Sequence, residues 1–237
     1  LSQVTAVILA GGLGTRLRKV IPDRPKVMAE IKGKPFLYYL FDQLTEVDID
    51  RVIISTGYMA EKIEEIVGSS HKGLQVDYCR EDKPLGTGGA LKLSGRAVDT
   101  EYCLVMNGDS FAEFDLISLM VVHKNSDANI TVIVKSVEDS SRYGTIQMGD
   151  NNHIIEFSEK SNAASRGLIN VGVYLMNTSV LQKITKKTPC SLEYDFFPLM
   201  ASKGIYGYET KGEFIDIGTP ESFAKAEAFF RQAPVSA

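Results

Sequence analysis

Short apolar, β-branched runs alternate with helical segments over the first 125 residues, and this alternation limits the fold more than any other feature. The runs cover residues 4–9, 51–56, 75–79 and 102–106. Between the first two runs, apolar residues recur every three or four positions, which predicts a helix with Pro35 at its first position. The order β-α-β-α-β-α-β predicts an α/β fold, with a mostly parallel sheet covered by helices on both faces.

The second half of the chain is richer in strands. Residues 129–176 contain several β-branched runs and a hairpin turn at 149–152. Further along, Thr219 and Pro220 predict the N-cap and first turn of a last helix. Because no repeat or long linker interrupts the chain, the sequence predicts one domain, residues 1–237, with a β-rich insertion.

The composition is that of an ordinary globular protein and excludes several classes of function. Of the 237 residues, 44% are hydrophobic and 24% are charged, and the net charge is −4. No apolar run approaches the roughly 20 residues of a membrane span, and the acidic balance argues against general nucleic-acid binding. The three cysteines are widely spaced and form no C-x-x-C pair, so neither a disulfide framework nor a zinc site is indicated. We therefore expect a soluble, cytoplasmic protein that binds neither membranes nor nucleic acids.

A glycine-rich loop directly follows the first strand. Residues 10–16 read AGGLGTR, and glycines at such positions let backbone N–H groups approach an anion closely. The loop is not a P-loop, because the G-x-x-x-x-G-K-[ST] string is missing. The dinucleotide fingerprint also fails, because Leu17 stands where its third glycine is needed. The pattern favours a different phosphate-binding loop over a simple tight turn between strand and helix.

Positive charge is concentrated next to this loop. Residues 12–34 contain seven basic and two acidic residues, a local net charge of +5, so the remaining chain carries −9. Such asymmetry indicates a polyanion held locally, most simply a triphosphate. We expect Arg16 and Lys26 to contact phosphate, since arginine binds phosphate oxygens in pairs and lysine acts as a mobile point charge. The other lysines and arginines here are expected to be solvated, namely Arg18, Lys19, Lys32 and Lys34.

The sequence LAGGLGTRL at residues 9–17, followed by Pro25 and Lys26, resembles the sugar-phosphate nucleotidyltransferases, and the resemblance continues over essentially the whole chain. These enzymes join a nucleoside triphosphate to a sugar 1-phosphate and release pyrophosphate. The resemblance implies a Rossmann-like three-layer α/β/α (GT-A-like) fold with a mixed, mostly parallel sheet and a β-rich sugar-binding insertion. It also implies a nucleotide-binding half, about residues 1–125, and a sugar-phosphate-binding half, about residues 126–237.

In this family, a segment similar to residues 80–90 (REDKPLGTGGA) holds the nucleobase. We expect Gly86 and Gly88 to let a flat ring stack on the backbone, and Glu81 to meet the edge of the base. A carboxylate only accepts hydrogen bonds, so Glu81 favours guanine, which offers two adjacent donors, although uracil with one donor stays open. The alternative is a solvent-exposed Glu81 before a turn. The implied nucleotide-binding residues are Leu9, Ala10, Gly11, Gly12, Gly14, Thr15, Arg16, Lys26, Glu81, Pro84, Gly86, Thr87, Gly88, Asn107, Gly108 and Asp109.

Two aspartates end apolar strands. Asp109 follows the run 103–108, and Asp216 lies within 214–218. A buried carboxylate needs a partner or a cation, and Mg²⁺ prefers one or two carboxylates together with phosphate oxygens. The resemblance implies that Asp109 and Asp216 bind Mg²⁺; either one alone would be consistent with a helix cap or a turn. Catalysis would then consist of in-line positioning and charge neutralisation by Arg16, Lys26 and Asp109 with the metal.

For the sugar 1-phosphate, the resemblance implies a second group of residues in the strand-rich half: Tyr143, Gly144, Glu159, Lys160, Asn170 and Gly172. Spacing alone would make Glu159 and Lys160 a solvated pair. The three histidines, His71, His123 and His153, have no complementary cluster and are predicted to lie at the surface or in turns.

Within the family, the motifs most resemble enzymes that use GTP and a D-glycero-α-D-manno-heptose 1-phosphate to make GDP-heptose for bacterial surface glycans. Mannose 1-phosphate with GTP, and N-acetylmuramate 1-phosphate with UTP, stay open as substrate pairs. A non-catalytic nucleotide-sugar sensor or regulatory subunit is the alternative of a different class, but such a protein could lose Asp109 or Asp216, and both are present. A homo-oligomer is compatible with the resemblance.

Overall fold

Fourteen strands and six α-helices account for most of the chain that the structure describes. This computed structural model describes residues 3–158, 165–185, 187–201 and 203–232. The strands are β1 (Val4–Leu9), β2 (Glu30–Ile31), β3 (Lys34–Pro35), β4 (Arg51–Thr56), β5 (Ser70–His71), β6 (Leu74–Arg80), β7 (Tyr102–Asn107), β8 (Ser110–Ala112), β9 (Ile130–Val137), β10 (Thr145–Met148), β11 (Ile154–Ser158), β12 (Gly167–Asn177), β13 (Ile205–Glu209) and β14 (Phe214–Asp216). The helices are α1 (Phe36–Glu46), α2 (Ala60–Val67), α3 (Gly86–Ser94), α4 (Leu116–Asn125), α5 (Phe197–Met200) and α6 (Pro220–Gln232).

One ten-stranded mixed sheet runs through both halves of the sequence. Four of its strands, in the order β7-β1-β4-β6, are parallel, as the alternation predicts, and β9 and β13 form a second parallel pair. The strand-rich half extends this sheet, because the long strand β12 pairs antiparallel with β7 at one end, with β10 at the other and with β9 along its length. The expected insertion therefore continues the central sheet.

Helices cover both faces of the sheet, and the alternation of side chains along β1 shows why. Val4, Ala6 and Ile8 face one hydrophobic core, into which α1, α2, α4 and α6 pack. Val7 faces the other core, which receives α3, α5 and the π-helical turn Leu192–Phe196. Because β1 is buried on both faces, its sequence is apolar except for Thr5, whose hydroxyl accepts a hydrogen bond from the Thr100 hydroxyl at 2.9 Å. The predicted three-layer α/β/α arrangement is confirmed.

The topology gathers loops at one edge of the sheet. The four parallel strands β1, β4, β6 and β7 all end there, so the segments that follow them lie side by side. Ligands of open α/β sheets bind outside the carboxyl ends of such strands. A small two-stranded sheet, β8 with β14, pairs Ser110 with Asp216 and brings the C-terminal aspartate to the same edge.

Two local predictions can be compared directly with the helix ends. The last helix begins at Pro220, and the Thr219 hydroxyl accepts a hydrogen bond from the Ser222 N–H at 3.2 Å, so the predicted cap is confirmed. The first helix begins at Phe36, and Pro35 precedes it with an extended ψ of 138°. Pro35 is thus the N-cap and not the first helical residue, because its backbone is extended and it is the last residue of strand β3.

His123 corrects a prediction. It lies on the inner face of α4 and is almost completely buried. One ring nitrogen is 2.7 Å from the Thr131 hydroxyl and the other is 3.1 Å from the Asn177 side-chain oxygen. The prediction of a surface or turn residue was wrong because these two partners come from β9 and β12, far along the chain.

None of the described helices is long and apolar enough to cross a bilayer.

Candidate active site

The glycine loop after β1 forms the floor of a cavity of about 390 Å³. Gly14 has a φ of +58°, and its carbonyl accepts hydrogen bonds from the N–H groups of Leu17 and Arg18, both at 3.0 Å, which turns the chain sharply. A Cβ built on Gly12 would meet no atom within 4 Å, so the loop leaves open space above its backbone. This is the room that an anion bound by backbone N–H groups requires.

Most predicted nucleotide-binding residues line this cavity. They are Leu9, Ala10, Gly11, Gly12, Gly14, Thr15, Arg16, Lys26, Glu81, Pro84, Gly86, Thr87, Asn107 and Asp109. Gly88 and Gly108 do not line it. Gly108 packs beneath β1, where its N–H donates to the Leu9 carbonyl at 3.0 Å and a Cβ would lie 2.9 Å from Val27.

Gly86 and Gly88 also have a packing role that was not expected. Gly86 has a φ of +75°, and a Cβ on it would lie 2.9 Å from the Cys190 carbonyl carbon. A Cβ on Gly88 would lie 2.8 Å from the Cys190 sulfur, and the Gly88 N–H donates to the Cys190 carbonyl at 2.8 Å. These glycines allow the segment around Cys190 to dock on the loop, so the expected stacking of a base ring on Gly88 has no support in this packing.

Glu81 lies half-buried between the loops that follow β1 and β4. Its Oε1 packs against Gly11 and Gly57, where a Cβ would clash with it, and its Oε2 accepts a hydrogen bond from the Leu85 N–H at 3.0 Å. Burial raises the pKa of Glu81 above its ordinary value, although the Leu85 hydrogen bond opposes this. The alternative of a solvent-exposed Glu81 is therefore wrong. Gly57 was missed in the sequence because its contact with Glu81 joins two separate loops.

Of the basic residues near the loop whose side chains are described, Arg16 and Lys26 are the two that line the cavity. Arg24 pairs with Asp23 and Glu30, and Lys34 pairs with Asp42. Two further side chains are also engaged, since Arg18 lies over the Tyr58 ring and Lys32 donates to the Phe230 carbonyl at 3.3 Å. The choice of Arg16 and Lys26 as the phosphate contacts agrees with this geometry.

Asp109 lies in the turn between β7 and β8, and Asp216 ends β14, which pairs with β8 at the same edge. The Asp109 carboxylate accepts a hydrogen bond from Lys26 Nζ at 2.5 Å, and its carbonyl accepts one from the Ile217 N–H at 2.9 Å. Gly218 lies between the charged groups: a Cβ on it would be 2.8 Å from Asp216, 3.6 Å from Lys26 and 3.8 Å from Arg16.

Four donors from the described part of the chain surround the Asp216 carboxylate. Oδ1 accepts from the Gly218 N–H at 2.8 Å and the Ser222 hydroxyl at 2.9 Å, while Oδ2 accepts from the Tyr143 hydroxyl at 2.7 Å and Arg142 at 3.1 Å. Burial alone would raise the pKa of Asp216, but these hydrogen bonds and the Arg142 charge hold it below its ordinary value. Burial and the neighbouring carboxylate raise the pKa of Tyr143, so its hydroxyl stays a donor.

The oxygen ligands at this edge suit a hard cation. Among the described residues, no three His, Cys, Asp or Glu side chains cluster as a metal cage. The protein would therefore supply two carboxylates, and oxygen atoms of the substrates would supply the remaining ligands. Magnesium is commonly bound in this way. Asn107 Oδ1, close to Asp109, is buried without a hydrogen-bond partner among the described residues, which also fits a ligand at this point.

A second, larger cavity of about 590 Å³ adjoins the first. The predicted sugar-site residues Tyr143, Gly144, Asn170 and Gly172 line it, whereas Glu159 and Lys160 lie outside the described residues. The two cavities share four wall residues: Arg16, Asn107, Asp109 and Gly218. Sequence reasoning missed Glu193, which lines the larger cavity from the π-helical turn. Its only local signal is Ser191, a helix-capping residue two positions earlier.

A family model described as Nucleotidyl transferase matches residues 5–233. The chain belongs to the nucleotidyl transferase family. This confirms the predicted family, the predicted fold and the prediction of a nucleotidyl-transferring enzyme.

Two curated proteins and one solved structure show the range of similarity. This nucleotidyl transferase is 40% identical to the D-glycero-alpha-D-manno-heptose 1-phosphate guanylyltransferase of Aneurinibacillus thermoaerophilus, over 94% of this chain and 96% of that protein. It is 34% identical to the mannose-1-phosphate guanylyltransferase of Mycobacterium tuberculosis, over 95% of this chain and 64% of that protein. The crystal structure of HddC from Yersinia pseudotuberculosis complexed with GMP-PN matches with a TM-score of 0.84 and 35% identity, covering 95% of this chain and 99% of that one.

Proposed function

We propose that this nucleotidyl transferase joins GTP to D-glycero-α-D-manno-heptose 1-phosphate and releases pyrophosphate. The observation that carries the proposal is the pair of cavities that meet at Arg16, Asn107, Asp109 and Gly218. A nucleotide in one cavity and a sugar 1-phosphate in the other would bring their phosphates together at this shared wall. The chain would act as one unit, with the nucleotide bound by its first half and the sugar by its second.

Guanine is the base that the smaller cavity suits best. Glu81 is an acceptor held at its wall by Gly11, Gly57 and Leu85, and guanine presents two adjacent donors to a carboxylate. The names of the A. thermoaerophilus and M. tuberculosis relatives, and the GMP-PN in the Yersinia structure, support the same base. Because GTP is a cytoplasmic metabolite, we place the reaction in the cytoplasm.

The reaction itself needs positioning and charge neutralisation. A phosphate oxygen of the sugar 1-phosphate attacks the α-phosphorus of GTP, the bond to the β-phosphate oxygen breaks, and pyrophosphate leaves. The attacking oxygen is already anionic, so no side chain has to remove a proton or form a covalent intermediate. Arg16 and Lys26 lie where they would hold the triphosphate and neutralise its charge.

Asp109 and Asp216 would hold Mg²⁺ together with phosphate oxygens. When bound, this ion would neutralise negative charge on the reacting phosphates. Tyr143 would orient the Asp216 carboxylate, which already accepts four hydrogen bonds from the described residues, so the exposed Arg142 would have to release it when the ion binds. Lys26, which contacts Asp109, would then link the metal ligand to the triphosphate.

The test is pyrophosphate release over a grid of four nucleoside triphosphates and several sugar 1-phosphates, with Mg²⁺ present. Turnover with GTP and the manno-heptose 1-phosphate alone supports the proposal. A preference for mannose 1-phosphate, or for UTP with N-acetylmuramate 1-phosphate, would keep the reaction and contradict the proposed substrates. Nucleotide binding without turnover anywhere on the grid would indicate a sensor and contradict the whole proposal.

A further inference from the structure

Glu193 is held in the wall of the larger cavity by hydroxyl groups from three separate parts of the chain. Its Oε2 accepts hydrogen bonds from the Thr87 hydroxyl at 3.0 Å and the Ser191 hydroxyl at 2.8 Å. Its Oε1 accepts one from the Tyr174 hydroxyl at 3.2 Å. Thr87 lies in the first turn of α3, Ser191 caps the π-helical turn and Tyr174 lies in β12, so the carboxylate is fixed from three directions.

The direction of each hydrogen bond follows from the neighbouring groups. The Tyr174 hydroxyl accepts from Asn170 Nδ2 at 2.8 Å, so its own proton points to Glu193. Burial and the nearby carboxylate raise the pKa of Tyr174 well above its ordinary value, which keeps this proton in place. The Thr87 hydroxyl accepts from the Leu192 N–H at 2.8 Å, so it also donates its proton to Glu193.

Counting acceptor positions shows what is left for a ligand. A carboxylate offers about four lone-pair positions. Oε2 uses two, for Thr87 and Ser191, and Oε1 uses one, for Tyr174. No other donor among the described residues reaches the carboxylate, so within this part of the chain one acceptor position on Oε1 stays open on a side chain that lines the cavity. Asn170 offers less, because its Oδ1 already accepts from the Gly172 N–H at 2.8 Å and its Nδ2 donates to Tyr174.

The charge distribution of the cavity indicates which part of a ligand meets Glu193. The cationic groups Arg16 and Arg142 lie on the side that carries Asp216 and the shared wall. An anionic phosphate is attracted there and repelled by Glu193. The uncharged hydroxyls of a sugar 1-phosphate are donors that suit a carboxylate.

We propose that Glu193 accepts a hydrogen bond from a hydroxyl of the sugar 1-phosphate and thereby selects the sugar. This inference rests on the proposed function. Because Thr87 follows Gly86 at the start of α3 and lines the smaller cavity, the same hydrogen bonds connect the base side of the site with the sugar side. Thr87 is thus a positioning residue for Glu193.

The experiment compares Glu193→Gln with wild type, using GTP, Mg²⁺ and D-glycero-α-D-manno-heptose 1-phosphate, or whichever sugar 1-phosphate the wild type turns over. Glutamine keeps the size of the side chain and removes its charge. We expect KM for the sugar to rise about 10- to 100-fold, while KM for GTP changes less than about threefold. Glu227→Gln, an exposed residue of α6, is the matched control and should behave as wild type.

Two further measurements separate contact with the sugar from a purely structural role. Thr87→Val should raise KM for the sugar, and Thr87→Ser, which keeps the hydroxyl, should restore it. The second measurement uses analogues of the sugar 1-phosphate that each lack one hydroxyl. For the analogue that lacks the hydroxyl bound by Glu193, wild type and Glu193→Gln should have the same KM.

An equal rise in KM for both substrates, or a difference that persists with every deoxy analogue, would show that Glu193 only supports the loop and would overturn the inference. Those results need an active wild-type enzyme. Absence of turnover by the wild type with every sugar 1-phosphate would overturn the proposed function, and this inference with it.

Discussion

Lys26 donates a hydrogen bond from its Nζ to Asp109 Oδ2 at 2.5 Å, and this ion pair joins the turn after the glycine loop to the end of β7. Lys26 is largely buried, whereas nearly half of the Asp109 side chain is exposed to the cavity. The carboxylate therefore compensates the buried cation before any phosphate is bound.

Lys26→Ala should lower kcat/KM for GTP by about 100-fold or more, because it removes a cation next to the reacting phosphates. Lys26→Arg keeps the charge but not the compact ammonium group, so it should recover only part of the rate. Steady-state kinetics with GTP varied gives the comparison. Lys225→Ala, at an exposed position of α6, is the control. A change in KM for the sugar phosphate alone would show that Lys26 is not a triphosphate contact.

Asp109→Asn and Asp216→Asn should each reduce kcat by about two to three orders of magnitude while the protein stays folded. Each change removes a carboxylate that would bind Mg²⁺. The Mg²⁺ concentration that gives half of the maximal rate should therefore rise. Asp48→Asn, exposed and remote, serves as the control, since asparagine also tolerates its φ of +56°. Wild-type rates at saturating Mg²⁺ in either variant would exclude that residue as a ligand.

Glu81→Gln should weaken the preference for GTP over the other nucleotides by about 10- to 100-fold, the effect of losing hydrogen bonds to a charged group. The measurement is kcat/KM for all four nucleoside triphosphates. Glu65→Gln, exposed on α2, should leave the ratios as they are. If the ratios also stay constant in Glu81→Gln, Glu81 does not read the base.

Gly86→Ala should destabilise the protein more than Gly73→Ala. Both glycines have positive φ, +75° and +87°, but a Cβ on Gly73 meets nothing within 4 Å, whereas one on Gly86 overlaps the Cys190 backbone. We expect about 1–2 kcal/mol for Gly73→Ala from φ alone. Crowding should add about 1–3 kcal/mol for Gly86→Ala. Urea unfolding gives the loss in the free energy of unfolding for each variant, and the difference between the two losses reports the packing of Cys190 against Gly86. Equal losses would contradict this prediction.

His123 should make the folded state sensitive to acid. Burial lowers the pKa of His123, so the unfolded chain binds a proton more readily than the folded one. The free energy of unfolding contributed by this residue is therefore complete above the ordinary histidine pKa of about 6.5 and decreases as the pH falls through it. In His123→Gln, the decrease between pH 7 and pH 5 should be smaller. At pH 8, the difference in the free energy of unfolding between His123→Gln and wild type gives the effect of the substitution on packing alone. If the free energy of unfolding changed with pH in the same way in both proteins, the prediction would be wrong.

The sequence predicts those parts of the molecule that local patterns determine. Strand β1, the glycine loop and the cap of α6 depend on residues that are neighbours in the chain, and each was located correctly. Glu193 was not foreseen because its partner Thr87 is 106 positions away, and no pattern near Ser191 indicates that contact. The packing of Gly86 and Gly88 on Cys190 was not foreseen either, because the Cys190 segment is distant in sequence.

The wall shared by the two cavities has a consequence for how products leave. On the proposed assignment, a nucleotide-sugar occupies both cavities at once, whereas pyrophosphate is held through its phosphates alone. Two linked groups bound at adjacent sites dissociate together only when both contacts are lost. The nucleotide-sugar should therefore be the slower product to depart, and it should inhibit the enzyme in competition with either substrate. A compound that links guanosine to a sugar through a non-hydrolysable bridge would exploit the same geometry.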